Sequence, residues 1–295
     1  MANWVQKTDA PYSTTYNGVR EQLLYNDKLY IVGGKSGSGV ILDKITAYDT
    51  ILDSYDTTLS NMLGSRYYCA GAISGSTIFV FGGYNGGALT TCEKYDILTD
   101  TWSSIHDMPA GKWATSAARL ENYIYVFGGV GNSAIYKYDI AGNTWTTQVQ
   151  TNDDDLNSAV TVGNYIYLFG GHNNLNGVKK YDPINDVWAS LSTSIPGAGL
   201  EAGNVFVHGT YAYLLGGSKA STQFLQYNAS SNNWASLVGL PYGKIGGAGG
   251  ITESSDIYIM GGGGGDHELS NLEYTIPPTT NPGGDINPYK SRIQG

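Results

Sequence analysis

Six segments of this chain end the same way, with an alternating apolar run closed by a glycine pair. They are LYIVGG at Gly33-Gly34, IFVFGG at Gly82-Gly83, IYVFGG at Gly128-Gly129, IYLFGG at Gly170-Gly171, AYLLGG at Gly216-Gly217 and IYIMGG at Gly261-Gly262. Successive pairs are 42 to 49 residues apart. One glycine pair before a loop suits a ligand cradle, whereas six at a regular period mark a supersecondary unit repeated along the chain. The alternation before each pair reads as a strand, and glycine at its end permits positive φ or a close backbone approach.

Each unit then carries a tyrosine on a following strand, at Tyr48, Tyr95, Tyr138, Tyr181, Tyr227 and Tyr274. Seven residues beyond four of these stands a tryptophan, at Trp102, Trp145, Trp188 and Trp234, and Tyr55 takes that place in the first unit. Such aromatic pairs suit the seam between two sheets, where a large ring buries area and its polar end finds a partner. DIAGNT, DPINDV and NASSNN supply the turns between third and fourth strands. Composition agrees: 41 glycines, 24 tyrosines against 6 phenylalanines and 14% charged residues favour short strands and tight turns.

The glycine pair, tyrosine and tryptophan at these separations resemble the repeats of the kelch family, from about Trp4 to about Tyr274. That resemblance implies an all-β fold, a six-bladed kelch-type β-propeller with four antiparallel strands per blade. The sixth unit has no tryptophan after Tyr274, but Trp4 precedes Pro11 by seven residues, as Trp102 precedes Pro109 and Trp234 precedes Pro241. The strand around Trp4 is therefore expected to complete the last blade and close the ring, removing exposed sheet edges. The expected organisation is a propeller over residues 1–274 and an extended tail, a candidate docking arm, over 275–295. Trp113 is the one tryptophan left outside the repeat.

A first strand begins at the face where the second ends, so one face gathers the segments leading into the first strands and the loops after the glycine pairs. Alignment on the glycine pairs places Arg66-Tyr67, Lys112-Trp113, Asp154-Asp155 and Leu200-Glu201 at equivalent positions, with Lys244 nearby in its unit. The resemblance points to Arg66 and Lys112, since arginines of peptide-binding kelch proteins line the rim of the channel. The expectation is a polarised rim, with Arg66, Lys112 and Lys244 set against Asp154, Asp155 and Glu201, and Tyr67 and Trp113 offering flat faces. Loop candidates on the same face are Tyr84, Asn85, His172, Asn173, Asp266 and His267.

A net charge of -9 argues against nucleic acid as a partner. No run is apolar and long enough for a membrane helix, and the N-terminal residues lack the pattern of a signal peptide, so synthesis in the cytoplasm is expected. The four histidines are scattered, and neither a metal nor any other cofactor is expected. Cys69 and Cys92, on first and third strands of one blade, are expected as free buried thiols. The reading that follows is a non-enzymatic recognition or structural module that binds protein or glycan through the loop face. The tail would dock it onto a larger assembly, with a phage or viral particle suggested by composition. The alternatives are a cytosolic peptide-binding scaffold and a metal-independent sugar mutarotase or epimerase, in which Glu201 would work beside Arg66 or Lys112.

Overall fold

A computed structural model describes residues 4–12, 16–130, 134–148, 155–217, 221–263 and 269–276. The described secondary structure is entirely β, arranged as six four-stranded antiparallel sheets and one two-stranded ladder of Tyr16–Asn17 with Gly34–Lys35. The first blade comprises Leu24–Tyr25, Lys28–Val32, Ile45–Asp49 and Ser54–Asp56. The second comprises Ala70–Ser74, Thr77–Phe81, Cys92–Asp96 and Thr101–Ile105. The third runs from Ser116–Leu120 to Thr144–Gln148, the fourth from Ser158–Val162 to Val187–Ser190 and the fifth from Asn204–His208 to Asn233–Ser236. The sixth joins Ala248–Ile251, Asp256–Met260 and Asn271–Thr275 to Trp4–Lys7. First strands of the second to sixth blades lie side by side in succession, and that of the sixth meets Lys28–Val32 of the first.

The expected ring closure is present. Trp4 stands opposite Tyr274 in an antiparallel ladder running to Lys7 opposite Asn271. Its indole N–H donates to the Val238 carbonyl at 2.9 Å, and its ring packs on Phe224 of the fifth blade. The boundary lies slightly beyond Tyr274, because Thr275 pairs with Asp256 and Ile276 is buried in the core. Of the candidate docking arm, 275–295, residues 277–295 lie outside the described residues.

The tyrosine and tryptophan of each unit face each other across the third and fourth strands: Tyr95 and Trp102, Tyr138 and Trp145, Tyr181 and Trp188, Tyr227 and Trp234, with ring centroids 4.8 to 5.0 Å apart. Tyr48 and Tyr55 repeat this at 4.8 Å. Each indole also leans on the neighbouring blade, Trp145 on Phe81, Trp188 on Phe127 and Trp234 on Phe169. The tyrosine hydroxyls donate to Asp53, Asp100, Asn143, Asp186 and Asn232, five residues on, at 2.5 to 2.8 Å. Those acceptors adopt φ between 50° and 59°, a left-handed turn conformation that Asn and Asp tolerate best among side-chain-bearing residues. Several also bind the chain between blades: Asp100 accepts the Ser60 N–H and Asn143 the His106 N–H.

The hub holds a feature without a sequence signature. Val19 pairs with Val32, and Tyr30 with Leu23, but Arg20, Glu21 and Gln22 leave the first blade's ladder between them. The Glu21 carboxylate accepts the N–H of Gly71 at 3.2 Å and of Ala117 at 2.8 Å, in the second and third blades. Arg20 donates to the carbonyls of Thr115 and Asn157, and its own carbonyl accepts from Asn204. Gln22 exchanges two bonds with the backbone of Ile251. Three consecutive residues thereby touch all five other blades. Gly71 is required here, since a Cβ on it would lie 2.6 Å from a Val19 methyl.

Candidate functional site

The loop face is organised by three consecutive positions at the start of each first strand. At the first stand Arg66, Lys112, Leu200 and Lys244, whose carbonyls accept the N–H of the second glycine of the preceding blade, Gly34, Gly83, Gly171 and Gly217. At the second stand Tyr67, Trp113, Asp155, Glu201 and Ile245. At the third stand Tyr68, Ala114, Leu156, Ala202 and Gly246, all with φ between 52° and 57°. Ala114 donates to the Tyr68 carbonyl, Leu156 to Ala114 and Ala202 to Leu156, each at 2.9 Å, so the left-handed residues chain one blade to the next around the mouth. A left-handed conformation costs an L-residue about 1–2 kcal/mol, and here it turns each segment from the rim down into its first strand.

The basic half of the expected rim turns inward. Arg66, Lys112 and Lys244 are 1%, 0% and 1% exposed. Each reaches the carbonyl of the first glycine of its own blade: Arg66 to Gly82 at 2.9 Å, Lys112 to Gly128 at 3.0 Å and Lys244 to Gly261 at 2.7 Å. Arg66 also donates to the Thr91 carbonyl and forms a buried ion pair with Glu93. Lys112 binds the Ala134 carbonyl, and Lys244 that of Ser270. Backbone carbonyls where the strands end thus hold these cations, and they are not displayed to solvent. The expected polarised rim is corrected to this extent. Sequence reasoning placed the residues in the right slot but not their side chains. Leu200, 0% exposed in the same slot, is the signal that marks it as interior.

The second positions stay at the surface. Tyr67 and Trp113 are half-buried and join Tyr68 and Tyr84 in one aromatic patch. Ring centroids are 5.1 Å apart for Tyr67 and Tyr68, 5.6 Å for Tyr67 and Tyr84, 5.4 Å for Tyr84 and Trp113, and 5.8 Å for the stacked Tyr68 and Trp113. The Lys35 ammonium lies over the Tyr67 ring at 5.4 Å. Tyr68 was not among the sequence candidates, because its neighbours are brought to it by the loops of the second and third blades. Trp113, the tryptophan that the repeat leaves over, belongs here.

Around the mouth from Trp113 come the acids. Asp155 is half-buried, and its carbonyl accepts the N–H of His172 at 3.0 Å. The His172 imidazole, 59% exposed, meets the Glu201 carboxylate at 2.5 Å. Glu201 is therefore paired with His172 and not with Arg66 or Lys112, which lie in other bonds. Asn85 donates to Ser65, and Asn173 is exposed. Asp154, Asp266 and His267 lie outside the described residues. Arg20, 5% exposed, lies beneath the mouth, where burial pulls its pKa down and that of Glu21 up.

Cys69 and Cys92 are buried, free thiols, as expected, and burial pushes both up to about 12. Among the described residues no three His, Cys, Asp or Glu side chains gather into a metal-binding group. Among them, too, no helix is long and apolar enough to cross a membrane, which does not bear on strand-built membrane proteins.

Six four-stranded blades with glycine-terminated second strands and an aromatic pair at each seam define a propeller of the kelch type. The model of the KLHDC2/KLHL20/DRC7 Kelch-repeats domain matches residues 21–217, well over half of the sequence, and the chain belongs to the kelch-repeat family. It is 31% identical to human Kelch-like protein 23 over 129 residues, 43% of this chain and 22% of that protein. It is 27% identical to the F-box/kelch-repeat protein SKIP4 of Arabidopsis thaliana over 158 residues, 53% of this chain and 43% of that one. Kelch repeat and BTB domain-containing protein 2 of cowpox virus matches at 25% over 170 residues, 57% of this chain and 26% of the viral protein. The chain thus spans less than half the length of these relatives.

Proposed function

We propose that this propeller is a non-enzymatic recognition module that binds a segment of another protein on its loop face, with Tyr67, Tyr68, Tyr84 and Trp113 at the centre of contact. The observation that carries the reading is the aromatic patch itself. The seams between blades use the other tryptophans, whereas these four rings meet on loops at a rigid mouth, half-exposed and outside the repeat. Tyrosine and tryptophan give large contact area with few rotatable bonds, which is why they dominate binding hot spots. Kelch membership supports protein over sugar as the ligand, and a glycan array run with the same variants separates the two.

The test is a photo-crosslinking amino acid at Tyr84, expressed in the native host, with the same probe at Leu98 on the opposite face as control. A partner captured from position 84, absent from position 98 and lost on Trp113→Ala, is the expected result. Equal capture from both faces, or capture indifferent to Trp113→Ala, overturns the proposal. Attachment to a larger assembly, a viral particle included, rests on sequence composition. It is tested by truncation after Ile276, which leaves the sixth blade whole.

A further inference from the structure

We infer that the segment recognised at this patch presents a cation, a lysine or arginine side chain, to the aromatic faces and the carboxylates beside them. The inference rests on the reading of the loop face as a protein-binding surface and adds the chemistry of the partner.

Arg66, Lys112 and Lys244, which in the sequence promise a site for acidic ligands, are spent on backbone carbonyls and Glu93 inside the propeller. Arg20 is buried beneath the mouth, where its Nη2 donates to the carbonyls of Thr115 and Asn157. At the outward position of the same segments, the second and third blades contribute Tyr67 and Trp113 and the next two contribute Asp155 and Glu201. The hydrogen-bond chain from Tyr68 through Ala114 and Leu156 to Ala202 makes these four positions neighbours around one mouth. The mouth therefore sets π faces near two carboxylates, Glu201, which already meets His172, and Asp155, which lies within electrostatic reach of the buried Arg20, on a chain of net charge -9. Both attract a cation, the rings through their quadrupole and the acids through their charge.

The chain already displays the contact. Lys35 places its ammonium over Tyr67 at the edge of the patch. On the blades themselves, Lys137 sits 3.8 Å from the Tyr123 centroid and Lys180 3.5 Å from that of Tyr165. Lysine on tyrosine is thus a recurrent contact of this protein, and the patch offers it to a partner with two further tyrosines and an indole. An incoming acidic side chain would meet Asp155 and Glu201 instead.

The test uses three short peptides, Ac-Gly-Ser-X-Ser-Gly-amide, with X as lysine, trimethyllysine or the neutral isostere in which carbon replaces the quaternary nitrogen. A fourth carries aspartate at X. Binding is read from the indole N–H of Trp113 in 15N-labelled protein, assigned with Trp113→Phe, while the other indole signals report on the fold. Both cationic peptides should shift the Trp113 signal, and trimethyllysine should bind about three- to thirtyfold more tightly than its neutral isostere. Asp155→Asn and Glu201→Gln should each weaken lysine binding about two- to fivefold, as should added salt. Equal affinity of the cationic and neutral peptides, tighter binding of the aspartate peptide, or no Trp113 shift with either cation overturns the inference. Equal affinity abolished by Tyr84→Ala would do so while leaving the loop face as the recognition surface. Failure of the position-84 crosslink would remove both.

Discussion

Arg66 separates two views of this propeller, because a rim arginine and an interior arginine respond oppositely to mutation. In the structure its guanidinium is 1% exposed, donates to the carbonyls of Gly82 and Thr91, and pairs with Glu93, which is itself buried and also accepts the Leu63 N–H at 2.8 Å. Glu93→Ala leaves that guanidinium without its counter-charge and the Leu63 N–H without an acceptor. Breaking a buried ion pair from one side costs about 3–5 kcal/mol, and an orphaned N–H adds about 1 kcal/mol. At about 2–3 °C per kcal/mol for a chain of this size, the unfolding midpoint should fall by roughly 8–18 °C. Arg66→Ala should fall by a comparable amount. The double substitution Arg66→Met with Glu93→Leu should recover much of the loss, since well-packed apolar side chains replace buried ion pairs at little or no cost. The assay is a set of four melts, wild type, two singles and the double, with the coupling read from the cycle. An Arg66→Ala protein that melts with wild type but no longer captures its partner would refute the interior assignment.

Trp4→Ala removes a ring packed on Phe224 and Tyr274 together with the bond to Val238, and should cost about 3 kcal/mol by loss of packing and one hydrogen bond. Trp4→Phe should cost about 1 kcal/mol, and an unchanged melt for Trp4→Ala would contradict closure by that strand. Neither thiol should react with a thiolate-seeking disulfide reagent at neutral pH until the protein unfolds, when two should titrate; burial holds both near pKa 12 in the fold. The Tyr95 hydroxyl, and after it the Ser60 N–H, hold the Asp100 carboxyl below its ordinary range. Its contribution is then fully present above about pH 4 and is lost as pH falls through the lower folded value. Asp100→Asn should therefore be tolerated at pH 7, as Asn143 and Asn232 occupy the same place in other blades, and should show a shallower acid loss; an acid limb identical to wild type would exclude the carboxylate.

The repeat was legible because its landmarks answer local needs. A glycine pair ends a strand whatever the blade, and a tyrosine opposite a tryptophan fills the same seam each time, so even the missing sixth tryptophan pointed to Trp4. The site was legible only in its positions. Aligning the units on their glycines put Arg66, Lys112 and Lys244 in the right slot, but whether a side chain there runs inward or outward depends on the left-handed residue two positions later and on which carbonyls the preceding loop leaves open. Glu93, the acid that anchors Arg66, comes from the third strand and has no fixed spacing to announce it. The Arg20–Gln22 bulge was invisible for a stronger reason: its partners, from Gly71 to Ile251, are gathered by the closed ring alone. The patch of Tyr67, Tyr68, Tyr84 and Trp113 was half visible, as an unexplained tryptophan.

The bulge and the closing strand together impose an order on how the protein is made. Trp4–Lys7 and Arg20–Gln22 leave the ribosome before every strand they bind, and the ladder that receives Trp4 is among the last described segments to follow. Blades two to five can zip up from neighbours in sequence, but the leading segment must stay unengaged until the sixth blade is complete. The first strand of the propeller to be synthesised is thus the last to find its place. A cell that makes this propeller carries, for the length of each translation, a nascent chain with one unpaired strand waiting for its end.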